Sequence, residues 1–500
     1  MSDVQNPYEQ FAHRIRNANL LDDISLVLNW DQQVTMPEEG SNARSLHFSA
    51  LSSTRHELLT GERTVELLEA IDETNLSTDE RITLREARRE IERKRSIPES
   101  LVEEISETQT RAFDDWKAAR ETESFDRFAD PLCDLVKLQR ERTDYIDASQ
   151  STYSVLLEDA EPCIDPETID GLLTALRDGV LDLLNEYGDE LSESAPAPLD
   201  VSGPFKAEKQ QELCERALTM LGYNWKRGRL DTAPHPFDGL SQFDARITTR
   251  FDEEEPFSAL LSTIHEFGHA AYNLGLPDKH YGTALGRARS HSVHESQSRF
   301  FENHVGRSRG FWERFMPTVR EIFPEFESVS VDTVLAHLNS VDRSNQIRVK
   351  ADEVTYHLHI VLRHEVEQQL LSGDITVEEV PEVWNDRAER YFGTSPESVV
   401  DGALQDVHWS TSFGMFPNYS LGSMLAAQVA TAIEREIDDV NTLVREERLD
   451  EVHDWLTENI HQRGQRDTTD ELIECATGRP LSAEPLLDHL ESNIRTQLAR

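Results

Sequence analysis

The residues best placed to do chemistry are His265, Glu266 and His269, in the run HEFGH at 265–269. Two histidines four residues apart on a helix emerge from the same side of it, so both imidazoles can meet one ion. Glu266 sits about 100 degrees further round, out of line with the imidazoles but near a water held at that ion. This is the H-E-x-x-H device, in which the glutamate is general base for the attacking water. The five-residue pattern also arises by chance, as two partly buried histidines satisfied by carbonyls. Here it lies within PFSALLSTIHEFGHAAYNLGL at 256–276, where Leu260, Leu261, Ile264, Gly268 and Ala271 recur at three and four residues. The spacing predicts a helix with Gly275 as a left-handed cap and Pro277 opposing continuation.

A hydrolytic ion needs a third protein ligand and one open position. A metzincin would carry Gly at 272 and His at 275; the chain has Tyr272 and Gly275. SHSVHESQSRFFENH at 290–304 reads as another amphipathic helix, with Val293, Phe300 and Phe301 for the core. Its Glu295, 26 residues after His269, would complete a site of two histidines and one glutamate. His291 and His294 are rival ligands. A solvated or Arg299-paired carboxylate is the structural alternative for Glu295, and Ser292 and His294 can orient ligands from outside.

The elements that must position these groups are mainly helical. Apolar residues repeat with helical spacing over 41–70, 83–97, 100–119 and 127–154, and over 168–189 after a Thr168 cap. A helical repeat also runs over 347–371, with Val354, Leu358, Val361 and Leu362 facing inward. Residues 159–167 form a looser connection. The Pro- and Ser-rich run at 192–204 is the best candidate joint within what otherwise reads as one catalytic domain, 1–500. Strand signals are few: 243–251 alternates clearly and 283–291 weakly. The expectation is a large helical body with a small β-sheet beside the metal site.

Composition narrows the partners. The formal net charge is -45, from 95 acidic and 50 basic residues, which disfavours nucleic acid and anionic membranes. Only eight of the basic residues are lysines. Excess carboxylate with few lysines reads as halophilic adaptation to molar salt, where the Debye length falls to about 3 Å. Four scattered cysteines form neither a disulfide framework nor a metal finger. The N-terminal run has no apolar leader and no stretch is long and apolar enough to span a bilayer, so a cytoplasmic location is expected.

Six ordered motifs make the chain resemble the M32 metallocarboxypeptidases, the carboxypeptidase Taq family. They are HPF at 235–237, DARITT at 244–249, HEFGH at 265–269, HESQSR at 294–299, IRVKAD at 347–352 and GALQDVHWS at 402–410. LNWDQQVTMP at 28–37 with Arg44, and SFGMFPNYSLG at 412–422, extend the likeness over essentially the whole chain. The resemblance implies release of single residues from peptide C-termini with broad side-chain tolerance. It also implies zinc with cobalt as a substitute, a homodimer, a deep groove, and Glu295 as third ligand.

An exopeptidase must recognise a terminal carboxylate. Arg348 leads as the clamp, with Asp352 one turn on to hold its guanidinium; an ordinary i,i+4 ion pair is the alternative. Arg246 is a second carboxylate partner, unless it and Asp244 merely structure a sheet edge. Tyr419, His408 and Trp409 sit in an aromatic stretch, where Tyr419 or His408 can donate to the oxyanion. Rival readings are an endopeptidase or dipeptidyl carboxypeptidase with the same metal core, and a non-catalytic helical peptide-binding protein.

Overall fold

In the computed structural model, residues 6–193 and 199–499 are described; residues 194–198 of the candidate joint lie outside them. Among the described residues the chain forms twenty α-helices and one three-stranded sheet. Helix boundaries follow local chemistry. The helix Thr78–Ser96 opens on a capping box in which Ser77 and Glu80 satisfy each other's backbone amides. The predicted repeat over 41–70 is broken at Gly61, which is extended and separates Ser41–Thr60 from Glu62–Glu69. The repeat over 127–154 likewise divides, and Ser151 caps the new helix Thr152–Ala160 through Ser154 N at 3.1 Å. The next helix opens on Pro166 rather than after Thr168, because a proline loses no helical hydrogen bond at that position.

The sheet has the order β1-β3-β2, with β1 (Leu230–Thr232) parallel and β2 (Asp238–Ser241) antiparallel to β3 (Asp244–Thr249). Strand β3 fulfils the alternation over 243–251. No strand forms over 283–291, where Ala284–Gly286 is a turn of 3-10 helix. Ala245 and Ile247 of β3 are fully buried in the same apolar cluster as Leu260, Ile264 and Phe267 of the Ser258–Gly275 helix. The sheet thereby braces the helix carrying HEFGH.

Two large apolar cores meet at the helix Pro417–Glu436. Its Leu425, Val429 and Ile433 belong to one, and its Leu421, Met424 and Ala427 to the other. No helix among the described residues is long and apolar enough to cross a membrane.

Several histidines are sealed within this body. Burial pushes His357, His359 and His461 down from the ordinary 6.5 to about 3. Their folded values lie below the unfolded one, so between the two the unfolded chain binds more protons. The stability they contribute is complete above about 6.5 and drains away as pH falls toward 3. Denaturant midpoints measured from about pH 7 down to about pH 5 should fall, and His461→Gln should flatten the fall. A midpoint that rises on acidification would contradict this.

Candidate metal centre and active site

Two helices bring the predicted donors together. Ser258–Gly275 buries Leu260, Ile264 and Phe267, leaving His265 and His269 on its other side with ring centroids 5.0 Å apart. The expected left-handed cap at Gly275 is not formed: the chain turns extended at Leu276. Gly275 serves close packing instead, since a Cβ there would lie 2.2 Å from His461 Nδ1. The second helix, His291–Arg299, starts at Ser290, whose hydroxyl accepts from Val293 N at 3.3 Å. The buried Glu161 carboxylate also accepts from Ser292 N, at 3.3 Å, and ties that helix end to Thr469.

Glycines set how near this second helix can come. A Cβ at Gly268 would lie 2.2 Å from Gln297 O, and one at Gly422 would lie 2.6 Å from Glu295 Cγ. The Glu295 helix is thus held between the HEFGH helix and Pro417–Glu436 at distances that only glycine permits. Gly422→Ala should displace Glu295 and weaken metal binding by about tenfold or more, measured by equilibrium dialysis. Unchanged affinity would show that Glu295 is not held by this contact.

The donor set itself is compact. Glu295 Oε2 lies 3.6 Å from His265 Nε2 and 3.4 Å from His269 Nε2. Donors around a tetrahedral ion at zinc-like bond lengths are about 3.3–3.5 Å apart. Outer partners fix the rings: His265 Nδ1 is 2.9 Å from Glu302 Oε2, and His269 Nδ1 is 3.0 Å from the His294 carbonyl. Both Nδ1 positions are engaged, which frees both Nε2 lone pairs to face Glu295. A second grouping, Asp238, His269 and His294, shares His269. Two of its members are bonded through Asn273, at 2.8 Å to Asp238 and 3.3 Å to His294, and His294 Nδ1 lies 2.7 Å from His269 Nδ1. His265, His269 and Glu295 therefore fit a divalent ion, and His294 acts as an outer partner.

Charge is arranged to match. Burial raises the Glu295 pKa, but Arg299, His265 and His269 overcome it and hold the carboxyl well below its usual range. Glu302 behaves alike: burial opposes its charge, while Arg299 and His265 secure it. Glu266 differs. Burial pushes its pKa up to about 8; His269 pulls against this, and Asp238, Glu295 and Glu302 add to the rise. A carboxyl with so raised a proton affinity is suited to take and return a proton.

A cavity of about 670 Å³ reaches two of these donors, His269 and Glu295, and is lined also by His294, Asn418, Tyr419 and Tyr281. Tyr419 lies 5.8 Å from Phe416, centroid to centroid, and burial raises its pKa, so the phenol remains a donor. The turn before it is anchored at Gly414, whose amide donates to the buried Glu367 carboxylate. Gly414 has φ 80°, and a side chain there would also collide with Leu156.

Arg348 stands beside this wall, its guanidinium 5.6 Å from the Tyr419 ring. The predicted Arg348–Asp352 pair is not what forms. Arg348 lies in a 3-10 turn, Arg348–Lys350, and the α-helix begins only at Tyr356. Asp352 instead accepts from the backbone amides of Asp342, Val354 and Thr355 at 2.9–3.1 Å, holding the turn. The partner of Arg348 is Asp406, at 3.2 Å, whose other oxygen binds His408 Nδ1. Arg246 spends its guanidinium on Asp244, at 2.9 and 2.7 Å, and on the Trp30 face at 4.2 Å. No described contact joins it to the metal donors. Sequence reasoning missed Glu302, Tyr356 and Asp406. Asp406 lay within the quoted GALQDVHWS run, Glu302 within SHSVHESQSRFFENH and Tyr356 within the 347–371 repeat, but nothing in those runs marked out their roles.

A mainly helical body that converges two imidazoles of one helix and a carboxylate of the next defines a metallopeptidase. The chain belongs to the carboxypeptidase Taq (M32) metallopeptidase family, whose sequence profile matches residues 10–494, and it is thus a metallocarboxypeptidase. It is 35% identical to thermostable carboxypeptidase 1 of Thermus thermophilus, over 97% of both chains. Among solved structures it is similar to Trypanosoma cruzi metallocarboxypeptidase 1, with TM-score 0.94 and 34% identity over 98% of this chain and 99% of that one. The M32 carboxypeptidase of Deinococcus radiodurans R1 gives TM-score 0.94 and 32% identity over 99% and 100%.

Proposed function

We propose that the enzyme releases single C-terminal residues from peptides with broad side-chain tolerance, using an ion held by His265, His269 and Glu295. The observation that carries this is the approach of Glu295 Oε2 to both Nε2 atoms, at 3.6 and 3.4 Å, while both Nδ1 atoms are engaged elsewhere. A divalent ion there, zinc in the first instance with cobalt a substitute, supplies Lewis acidity to the scissile carbonyl and acidifies water. Glu266 takes a proton from the attacking water as its oxygen bonds to the carbonyl carbon. It returns that proton to the amine nitrogen as the C–N bond breaks. Tyr419 and His408 are donors to the developing oxyanion. Arg348, held by Asp406, clamps the terminal carboxylate.

Mass analysis of the products from one unblocked peptide tests the exopeptidase reading. A ladder of one-residue losses, abolished by a chelator and restored by metal, is expected. Internal fragments would instead establish an endopeptidase, and paired losses a dipeptidyl carboxypeptidase.

Residues 1–500 form one catalytic domain, supported by the single helix Pro417–Glu436 that feeds both cores. The enzyme works as a cytoplasmic homodimer on peptides with free C-termini. Its surface is adapted to molar salt, supported by the charge of -45 and the scarcity of lysine.

A further inference from the structure

Arg299 stands between the metal donors and the proposed carboxylate clamp. Its Nε donates to Glu295 Oε1 at 2.7 Å, one terminal nitrogen lies 3.3 Å from Glu302 Oε2, and the other is 3.0 Å from the Tyr356 hydroxyl. All three nitrogens are therefore engaged, whereas Arg307 and Arg363 each leave a buried Nε without a partner. Its guanidinium carbon also lies 4.6 Å from the Tyr356 ring centroid. The same Tyr356 also lies close enough to Arg348 to interact with its charge.

The consequences are geometric. Glu295 has two oxygens; Arg299 takes Oε1, while Oε2 faces His265 and His269 and also accepts from the Ser298 hydroxyl at 3.0 Å. Glu302 gives Oε2 to both Arg299 and His265 Nδ1, so the ring plane of His265 follows the position of the same guanidinium. On the other side Tyr356 is bonded to Arg299 and lies near Arg348. A planar fork serves three partners from three nitrogens in fixed directions, whereas the three donors of an ammonium radiate from one rotating nitrogen.

We propose that Arg299 is a positioning residue that turns one oxygen of Glu295 toward the imidazoles and, through Tyr356, sets the Arg348 clamp relative to them. This rests on the carboxypeptidase reading above. The distance between the ion and the terminal carboxylate is then governed by one buried side chain. That distance decides whether a single residue fits beyond the scissile bond.

Three variants separate this from a plain helix-bracing ion pair. Metal affinity is read on metal-stripped, refilled protein by competition with a chromophoric chelator, and selectivity as the ratio of kcat/KM for a free peptide to that for its amide. Arg299→Met should bind metal about 10–100-fold more weakly. Arg299→Lys, which keeps charge but not the fork, should fall between Arg299→Met and wild type. Tyr356→Phe should bind metal within about twofold of wild type yet lose selectivity by about tenfold or more. Wild-type metal affinity in a folded Arg299→Met or Arg299→Lys protein overturns the proposal, as does undiminished selectivity in Tyr356→Phe. Where the Arg299 variants do not fold, Tyr356→Phe decides alone. Failure of the wild type to bind metal would strike the underlying reading, not this one.

Discussion

Glu266→Gln is expected to keep its metal and lose hydrolysis, with kcat reduced by about 10²–10⁴-fold. Glutamine preserves the shape of the side chain but cannot accept a proton. The residue is not one of the three donors that converge on a common point, so metal binding should be spared. Its environment is consistent with that role. Glu266 is 8% exposed, and burial raises its pKa to about 8, so its carboxylate is a stronger base than one in water. Of the neighbouring carboxylates, Glu295 and Glu302 are held ionised by Arg299, while Asp238, its pKa also raised by burial, accepts from Asn273 at 2.8 Å. Metal content by atomic absorption and turnover on one peptide check both halves. A variant that retains metal and hydrolyses at the wild-type rate would remove Glu266 from the reaction.

Arg348→Met is expected to reduce kcat/KM on peptides with a free C-terminus by about 30–1,000-fold, the equivalent of about 2–4 kcal/mol. Peptides with amidated C-termini, already poor substrates, should lose far less. The clamp is buried enough for its charge to count, with 15% of the side chain exposed. Burial opposes that charge, and Asp406 and Tyr356 sustain it. Removal of the guanidinium also leaves Asp406 with His408 as its remaining partner, so some loss will fall on kcat. The amidated peptide measures that part separately. Equal losses on both substrates would mean that Arg348 supports the wall and does not read the carboxylate.

Much of this was legible in the sequence because it is local. The four-residue spacing of His265 and His269 and the apolar stripe beneath them fix a helix and a direction at once. The Glu295 helix is legible for the same reason. The sequence offered two readings of Glu295, an ion ligand or a partner of Arg299, as if they excluded one another. The carboxylate has two oxygens, and the structure gives one to Arg299 and turns the other toward the imidazoles.

What was not legible depends on contacts distant in the chain. Arg348 meets Asp406 across 58 residues, and no spacing rule reaches that far. Asp352 is the right type at a helical offset, but the backbone there is a turn and the carboxylate is used to cap it. Strands β1 and β2 span three and four residues, too few to register an alternation. Gly275 carried the signature of a helix cap, yet it is retained by the approach of His461, a tertiary contact that mimics a local signal.

The central claim is that side chains from two adjacent helices hold one divalent ion. Its most direct test is the metal content of stripped and reloaded protein, wild type against the double variant His265→Gln, His269→Gln. One ion per chain in the wild type and none in the double variant is predicted. A folded wild type that binds no ion, or a double variant that binds as much as the wild type, would contradict the account.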